Sequence, residues 1–454
     1  MTALLCAVLG GAMFYLSQGL DDVWVLAWIA PLPLLWLAYG PAPRWQLFTA
    51  ALAAFAMGQI YFLQSYGLFL MTTALSEMFG NGVLFAATIL LARSVQRRLP
   101  SGAALFAFPA LWTAVEYLES LVSPHGAWVM LGYSQVAWPA AIQVASLFGA
   151  PAITFMLCLF ANALALAAHG VRRTAWIGLG LCVLTLGFGY ARLRQSDGET
   201  VNVAALADIS PAYVKAFRTG DRASGLAVTQ EYAAVVRAQA AKGTQVFVTP
   251  EAGVEQSAVT PLALAARQTG SLVVVGTHSR DPARNMAIAY LPDGKVRTYD
   301  KRHRLLPGEA IYRPGKASGV IGGGRAVAIC KDLDFPRTIR ADAQAGIRLM
   351  AVPANDFTKD GWIHARQAIL RGVENGFAVV RSAFSGLETV SDAQGRVLAS
   401  AKTDHFGMIV TRAAVPLGPG PTLYTRIGDV FAWFCVALSM GLAATLLRKP
   451  RGQV

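Results

Sequence analysis

The chain has 454 residues, of which 55% are hydrophobic and 14% are charged. Together with a positive mean hydropathy, this balance excludes a single water-soluble globule and indicates a membrane protein. The formal net charge is +13. Part of it lies in short loops beside apolar segments and no base-reading motif accompanies it, so nucleic acid is not an expected partner.

Apolar segments long enough to cross a bilayer lie before and after one polar stretch, since a spanning helix needs about 20 apolar residues. The eight predicted spans are, in chain order, 3–20, 22–40, 46–66, 68–92, 101–119, 150–168, 174–193 and 428–447. The fourth is interrupted by Glu77, Gly80 and Asn81. The first lacks a basic region before it and is followed at once by the second, so it is not expected to be a cleavable signal peptide. Residues 120–149 are apolar but broken by proline and glycine, which is typical of an interfacial loop or a re-entrant segment.

Basic residues in the short loops predict the orientation in the membrane. If the spans alternate, the arginines and lysines that follow spans two, four, six and eight lie on one side, which is then the cytoplasm. These residues are Arg44, Arg93, Arg97, Arg98, Arg172, Arg173, Arg448, Lys449 and Arg451. The predicted domains are a seven-span membrane domain at 1–195, a polar extracytoplasmic domain at 196–425, and a last span with a basic tail at 426–454. Both termini are expected in the cytoplasm.

The polar domain alternates short β-rich runs with amphipathic helical ones, which indicates an α/β or α+β layered sheet. Predicted strands lie at 201–207, 245–249, 271–277, 286–291, 326–330, 347–353, 376–383 and 406–411. Predicted helices lie at 223–242, 258–268, 337–345 and 361–374. Asp293-Gly294 between apolar runs predicts a hairpin turn.

Cysteine usage singles out one thiol. The cysteines within apolar runs are predicted to pack as small hydrophobes; they are Cys6, Cys158, Cys182 and Cys435. Cys330 is the one cysteine in the polar domain, so it has no partner for a disulfide there and is a candidate nucleophile. No pair of histidines or cysteines has metal-ligand spacing, and no phosphate-binding loop is present, so neither a metal nor a cofactor is expected.

Three predicted strands end on residues that together support nucleophilic chemistry. QVFVTPEAG ends on Glu251, the hairpin ending VRTYDKRH delivers Lys301, and AVAIC ends on Cys330. A thiol becomes a nucleophile when a base takes its proton and a nearby cation stabilises the negative charge. A glutamate can supply the base. The lysine ammonium, with a backbone N–H after the cysteine, can stabilise the oxyanion of a tetrahedral intermediate.

The same segments resemble a known enzyme superfamily. PEAG, YDKRHRLLPGE, AICKD and ARQAILRGVENGFAVVRSA are similar to motifs of the nitrilase, or carbon–nitrogen hydrolase, superfamily, whose fold is an αββα sandwich. The membrane segments HGAWVMLGYSQ, IQVASLFGAPAITFMLCLFANALA and TLYTRIGDVFAWF resemble those of the apolipoprotein N-acyltransferase family. This resemblance implies an α-helical membrane domain joined to an extracytoplasmic nitrilase-like domain in the inner membrane of a bacterium.

The resemblance also implies residue roles and a reaction. Glu251 would be the general base, Lys301 the oxyanion stabiliser and Cys330 the nucleophile. The supporting residues it implies are Glu309, which positions the lysine, Asn285 in the same pocket, Lys331 and Asp332 after the nucleophile, and Asn355 with Asp356 after the next strand. Cys330 would take a fatty acyl chain from a phospholipid as a thioester and pass it to the α-amine of a lipoprotein's diacylglyceryl-cysteine.

Three features depart from the family's pattern. Lys331 stands where an aromatic residue is usual, the segment 302–329 is short and glycine-rich, and residues 201–250 contain no tryptophan. A membrane-anchored amidase using the same triad, acting on a different amide, is therefore kept as a second hypothesis. A non-enzymatic scaffold or sensor with a degenerate site is the third.

Overall fold

A computed structural model describes residues 1–194 and 198–448. The domain boundary predicted at 195–196, and Lys449 and Arg451 of the predicted tail, lie outside the described residues. The chain divides into two compact units. One comprises Met1–Arg194 and the chain from Asp429 onward, and the other is the intervening chain that ends at Gly428. We call them the helical unit and the catalytic-type unit.

The helical unit consists of apolar helices, as its composition predicts. Its described α-helices are α1 (Thr2–Gln18), α2 (Leu32–Tyr39), α3 (Arg44–Gly58), α4 (Tyr61–Tyr66), α5 (Met71–Leu75), α6 (Asn81–Arg98), α7 (Ser101–Val122), α8 (Pro139–Ile142), α9 (Ala145–Phe148), α10 (Ala150–Ala168), α11 (Arg172–Arg192) and the C-terminal helix Val430–Leu447. Single 3₁₀ segments at Trp24–Trp28 and Leu131–Gln135 and a π-helical turn at Ser76–Gly80 complete it.

Six helical stretches of the described chain are long and apolar enough to cross a membrane: Arg44–Tyr66, Met71–Arg98, Ser101–Val122, Ala150–Ala168, Arg172–Arg192 and Val430–Leu447. They coincide with six of the eight predicted spans. The predicted spans 3–20 and 22–40 correspond to the shorter apolar helices Thr2–Gln18 and Trp24–Tyr39. A count of eight spans, and the sidedness of the loops, therefore stay predictions.

The interrupted fourth span and the segment 120–149 both have physical explanations. The π-helical turn Ser76–Gly80 contains Glu77 and Gly80, and Asn81 begins α6 directly after it. Segment 120–149 folds as short helices rather than one span, and the Glu116 carboxylate on α7 accepts hydrogen bonds from the Leu131 N–H (2.9 Å) and the Thr154 hydroxyl (2.7 Å). A polar side chain in an apolar unit is retained where it has such partners.

The catalytic-type unit consists of strands with amphipathic helices. Its strands are β1 (Thr200–Asp208), β2 (Val246–Val248), β3 (Val254–Glu255), β4 (Leu272–Arg280), β5 (Ala283–Tyr290), β6 (Val296–Asp300), β7 (Val320–Gly322), β8 (Arg325–Val327), β9 (Leu349–Asn355), β10 (Ala378–Phe384), β11 (Leu387–Ser391), β12 (Val397–Lys402) and β13 (Met408–Pro416). Its helices are α12 (Pro211–Thr219), α13 (Arg222–Ala240), α14 (Thr260–Thr269), α15 (Pro336–Ala343), α16 (Gly361–Asn375) and α17 (Leu423–Ile427).

The strands form two sheets that pack face to face. One has the order β13-β1-β2-β4-β5-β6, with β3 paired to β4, and the other has the order β12-β11-β10-β9-β8-β7. Apolar residues from the inner faces of both sheets, including Val203, Val274 and Val380, share one core. Alternate residues of the same strands face outward. Those of the first sheet pack on α12, α13 and α14, and those of the second pack on α15 and α16. The described residues thus form the αββα layers expected from the resemblance.

The predicted elements of this unit are largely confirmed. All eight predicted strands and all four predicted helices are present, and Gly294 takes the positive φ of +80° that the predicted hairpin turn between β5 and β6 requires. The strand predicted at 326–330 is a correction, because β8 ends at Val327 and Cys330 begins a short 3₁₀ turn. Seven described elements of this unit are absent from the predicted strands and helices: β3, β6, β7, β11, β12, α12 and α17. The predicted hairpin at Asp293-Gly294 implied β6 only indirectly.

The chain direction brings several loops to one end of the sandwich. Strands β1, β2 and β4 are parallel, and so are β8, β9 and β10. The backbone N–H of Glu251, after β2, donates to the carbonyl of Ala354 in β9 at 3.2 Å, which joins the carboxyl ends of the two parallel sets. Because β6 runs parallel to β4 through β5, Lys301 emerges at the same end. We call this edge the site end.

Candidate active site

Glu251 is fixed where β2 meets the second sheet. Gly276 in β4 lies against the turn that carries Glu251, and a Cβ at Gly276 would overlap the carbonyl of Pro250. Glycine at this position therefore allows the close approach of the two strands. The carboxylate of Glu251 is buried, with 3% of the residue exposed.

The Lys301 ammonium and the Asn285 amide each hold the same two carboxylates. Lys301 Nζ lies 2.6 Å from Glu251 Oε1 and 2.9 Å from Glu309 Oε1. Asn285 Nδ2 donates to the same two oxygens, each at 2.7 Å. The Lys301 N–H donates to the Asn285 carbonyl at 2.9 Å, and the Leu305 N–H donates to Glu309 Oε2 at 2.6 Å. The structure therefore brings together four of the predicted site residues in one buried polar cluster.

Burial and the neighbouring charges shift the pKa values of this cluster in opposite directions. Burial raises the pKa of Glu251 to about 7, with the charge of Glu309 adding to the rise and the ammonium of Lys301 opposing it. Burial lowers the pKa of Lys301, but Glu251 and Glu309 outweigh it and the pKa lies well above its usual value. Burial also raises the pKa of Glu309, but Lys301 and the Leu305 N–H outweigh it and the net shift is downward. The lysine is thus held as an ammonium, while Glu251 titrates near neutral pH.

Cys330 differs from the other cysteines in its exposure and its backbone. It is partly exposed, whereas Cys6, Cys158, Cys182 and Cys435 are buried. Its φ of +42° is unusual for a residue with a side chain, and such backbone strain occurs preferentially at functional sites. Its Sγ lies 3.6 Å from the carbonyl oxygen of Asn355 at the end of β9. The side chain of Cys330 therefore lies at the site end, partly exposed, and also packs against the edge of the core between the two sheets.

The charges of the cluster act on this thiol. Burial raises the pKa of Cys330 well above its usual value, Glu251 raises it further, and Lys301 opposes the rise. A thiol in this environment is protonated at neutral pH, so it needs a base to become a nucleophile.

Asp332 links the turn that begins at Cys330 to the segment that follows Lys301. Its Oδ1 accepts from the N–H groups of Arg302 (3.1 Å) and His303 (2.9 Å). Its Oδ2 accepts from the Ile329 N–H (3.0 Å) and the Tyr299 hydroxyl (2.7 Å). The residues before Cys330 and after Lys301 are therefore tied to one fully buried carboxylate. Asp332 contacts backbone on both sides of the site rather than joining the polar cluster itself.

Lys331, the second predicted neighbour of the nucleophile, is also buried, with 4% of the residue exposed. Burial lowers its pKa, Asp334 opposes this shift, and the charge of Lys301 adds to it. Burial raises the pKa of Asp334 to about 6, and Lys331 opposes that rise. The two residues are thus electrostatic partners in the turn that begins at Cys330.

The sequence reading missed a buried ion pair beside Asn355. Arg381 in β10 donates from Nη1 to Asp356 Oδ2 (3.0 Å) and to the Leu387 carbonyl (2.8 Å), and from Nη2 to Asp356 Oδ1. A bidentate pair of this kind fixes the loop that follows β9 and hence the carbonyl facing Cys330. The available signal was an arginine inside the apolar run FAVVRSAF, where a charge needs a partner.

The site contains the groups that acyl transfer through a cysteine needs. They are a buried carboxylate that titrates near neutral pH, a buried ammonium beside it, and a partly exposed thiol influenced by both. Among the described residues, no group of three or more His, Cys, Asp or Glu side chains is arranged to hold a metal ion.

Comparison with known proteins adds the whole-chain context. The family model for the apolipoprotein N-acyltransferase N-terminal domain matches residues 10–164. The apolipoprotein N-acyltransferase of Geobacter metallireducens is 27% identical over 509 aligned residues, which cover 98% of this chain and 95% of that protein. The enzyme of the same name from Vibrio parahaemolyticus is 25% identical, with coverages of 98% and 97%. The resemblance predicted from the sequence is confirmed.

Among solved structures, the chain is similar to an amidase from Nesterenkonia sp.. The two are 19% identical with a TM-score of 0.40, and the match covers 53% of this chain and 97% of the amidase.

Proposed function

We propose that this chain, which resembles the apolipoprotein N-acyltransferases from end to end, is a membrane-bound N-acyltransferase of lipoprotein maturation. It moves a fatty acyl chain from a phospholipid, through a thioester on Cys330, to the N-terminal diacylglyceryl-cysteine of apolipoproteins. The observation that carries this proposal is the similarity over 98% of the chain to an enzyme of that name. The match includes the apolar helices as well as the layered unit.

We assign the first half-reaction to the Glu251–Lys301–Cys330 triad. Glu251 takes the thiol proton of Cys330 as the sulfur attacks the ester carbonyl of the acyl donor. The oxyanion that forms is stabilised by the Lys301 ammonium, which costs no reorganisation because two carboxylates already fix it. The tetrahedral intermediate then breaks its bond to the glycerol oxygen, and Glu251 returns the proton to that oxygen. The products are a thioester and a lysophospholipid.

The second half-reaction uses the same groups in reverse order. The neutral α-amine of the acceptor attacks the thioester carbonyl, Glu251 takes a proton from the nitrogen, and Lys301 again stabilises the oxyanion. The carbon–sulfur bond breaks, and the proton passes from Glu251 to the leaving sulfur. A base with a pKa of about 7 suits both steps, because near neutral pH about half of it is ionised and able to accept a proton, and its protonated form is acidic enough to return one.

We further propose that the catalytic-type unit lies on the extracytoplasmic side of a bacterial inner membrane, with both termini in the cytoplasm. The basic residues of the short loops support this orientation. The phospholipid donor and the lipoprotein acceptor are anchored in the same bilayer, so both reach a site beside its surface.

Intact-mass spectrometry of the full-length protein tests the first half-reaction. After incubation with phospholipid, we expect one added fatty acyl mass that is absent in Cys330→Ala. Cys435→Ala is the matched control, because it removes a buried thiol from the C-terminal helix and should still be acylated. The absence of any acyl adduct on the wild-type protein would overturn the proposal.

Addition of a diacylglyceryl-cysteine peptide separates the transferase from the hydrolase hypothesis. A transferase loses the acyl mass to the peptide, and the peptide gains the same mass. Discharge at an equal rate with and without peptide would instead identify a hydrolase. Unchanged lipoprotein maturation in cells that carry only Cys330→Ser would support the scaffold hypothesis.

A further inference from the structure

In the catalytic-type unit, more acidic than basic side chains are buried. Among the described residues of this unit, ten carboxyl side chains are buried: Asp208, Glu251, Asp332, Asp334, Asp342, Asp356, Asp360, Glu374, Glu388 and Asp392. Over the same described residues, five Lys and Arg side chains are buried: Lys301, Lys331, Arg366, Arg371 and Arg381. More acids than bases are thus withdrawn from the surface of a chain that already has a net charge of +13. The surface that remains is more basic than the composition suggests.

Three exposed cations lie in the segments that follow Lys301 and Asn355 at the site end. Arg313 and Lys316 belong to the segment 302–318 that follows Lys301, and Lys359 lies in the loop after Asn355. Within the described chain none of the three side chains forms an ion pair. Their charges therefore remain available to an anion that approaches the site.

Exposed apolar side chains lie on the same loops or beside them. Leu306 is 48% exposed and Ile311 is 72% exposed, on either side of Glu309 in the segment 302–318. Phe406 is 78% exposed in the loop between β12 and β13. That loop joins the site end because the Thr403 N–H donates to the Gly386 carbonyl (3.0 Å), and Gly386 lies against Asp356. We call these six side chains the rim.

The segment 302–318, which carries four of the six rim side chains, is held in place by hydrogen bonds. Arg304 Nη1 donates to the carbonyls of Ala310 (3.2 Å) and Tyr312 (2.8 Å), which holds the segment in a turn. At its two ends, Arg302 and the Ser318 hydroxyl (2.8 Å) both bind the carboxylate of Asp342. The exposed cations and apolar tips are therefore presented from a fixed loop, next to the glutamate that holds Lys301.

We propose that the rim selects phospholipids with net negative headgroups as acyl donors. This inference rests on the proposed function and adds the headgroup class. Proteins bind anionic lipid through cationic side chains that lie beside exposed apolar side chains. The apolar side chains contact the acyl chains, and the cations contact the headgroup. An acidic segment of the lipoprotein acceptor is the competing occupant, but it would not need the apolar tips.

The test compares donors in full-length protein reconstituted in mixed micelles. Acyl-enzyme formation is measured with phosphatidylglycerol and with phosphatidylethanolamine at equal mole fraction. We expect the triple variant Arg313→Gln, Lys316→Gln, Lys359→Gln to raise the half-saturating fraction of phosphatidylglycerol about 100-fold, because each cation contributes about 1 kcal/mol, with the maximal rate unchanged. Phosphatidylethanolamine should be affected little. Raising the salt from about 0.1 M to about 1 M shortens the screening length to about 3 Å and should weaken the wild-type preference in the same way.

The matched control removes three exposed cations from the opposite end of the sandwich. Lys242, Arg267 and Arg297, each changed to glutamine, remove the same charge and should leave both donors unaffected. An equal response of the two donors, or a change in the half-saturating acceptor peptide alone, would overturn the inference while leaving the proposed function intact. Failure of every lipid to acylate the wild-type protein would instead overturn the proposed function.

Discussion

Replacing Glu309 with glutamine removes one of the two negative charges that Lys301 holds and preserves the bulk of the side chain. In the wild-type protein Glu309 raises the pKa of Glu251, whereas Lys301 lowers it. The variant removes the first influence and leaves the ammonium to act on Glu251 alone. The pKa of Glu251 should therefore fall below its present value of about 7.

The size of the shift follows from the geometry. Both carboxylate oxygens lie within 2.9 Å of one nitrogen, Lys301 Nζ. Two unit charges about 5 Å apart interact by about 3 kcal/mol at an effective dielectric constant of about 20, which equals about 2 pH units. The ammonium between them and the remaining amide dipole reduce this value, so we expect a shift of about 1 pH unit.

The measurement is the single-turnover rate of Cys330 acylation as a function of pH. Glu251 accepts a proton only when it is ionised, so the rate rises as pH increases through its pKa. The rising limb should lie near pH 7 in the wild-type protein and at lower pH in Glu309→Gln. Asp281→Asn is the control, because it removes an exposed carboxylate at the site end and should leave the limb in place. A limb that stays fixed or moves to higher pH in Glu309→Gln would refute the coupling between the two glutamates.

Three further variants test other contacts. Lys301→Met leaves the buried carboxylate of Glu251 and the partly buried carboxylate of Glu309 without their shared cation. We therefore expect acylation to fall by at least about 100-fold and the unfolding free energy to fall by about 3–5 kcal/mol. Acylation at the wild-type rate in a folded variant would contradict the lysine's role. Asp332→Asn keeps one acceptor oxygen for four donors. Thermal unfolding should therefore show a loss of about 2–4 kcal/mol in the free energy of unfolding, together with slower acylation. Asp293→Asn, in an exposed turn, is the control. Arg371→Met removes the cation that lies 2.7 Å from the buried Glu374 carboxylate, so stability should fall by about 3–5 kcal/mol while acylation per folded molecule stays unchanged.

The sequence predicted those features that depend on local pattern. Glu251 and Lys301 follow apolar runs directly, and their convergence requires only that the runs are strands with a common direction. Arg371 and Glu374 stand three apart on a predicted helix, and their pairing at 2.7 Å is confirmed. Strands β11 and β12 escaped prediction because LETVS and VLASAK have mixed polarity, and their place in the sheet depends on pairing with distant neighbours.

Contacts between distant segments were beyond the sequence reading. The pairing of Arg381 with Asp356 depends on the parallel register of β10 and β9, which brings Phe384 beside Asn355. The four donors to Asp332 come from three separate backbone positions and one tyrosine, so no spacing rule identifies them. The predicted strand end at Cys330 was wrong by three residues, because the positive φ of the cysteine starts a turn that a propensity argument does not anticipate.

The departures from the family's pattern leave the proposed chemistry intact for an electrostatic reason. A lysine next to the nucleophile would favour a thiolate if its charge stood alone, and Glu251 would then be unnecessary as a base. Lys331 has Asp334 as its electrostatic partner, and the pKa of the Cys330 thiol remains well above its usual value. The sulfur therefore still has to give up its proton during attack, and the proposed mechanism assigns that proton to Glu251, whose pKa is about 7. The short segment 302–329 is equally compatible with this chemistry, because Asp332 accepts hydrogen bonds from both of its ends, Arg302 and Ile329, and Asp342 accepts one from Ser318 within it.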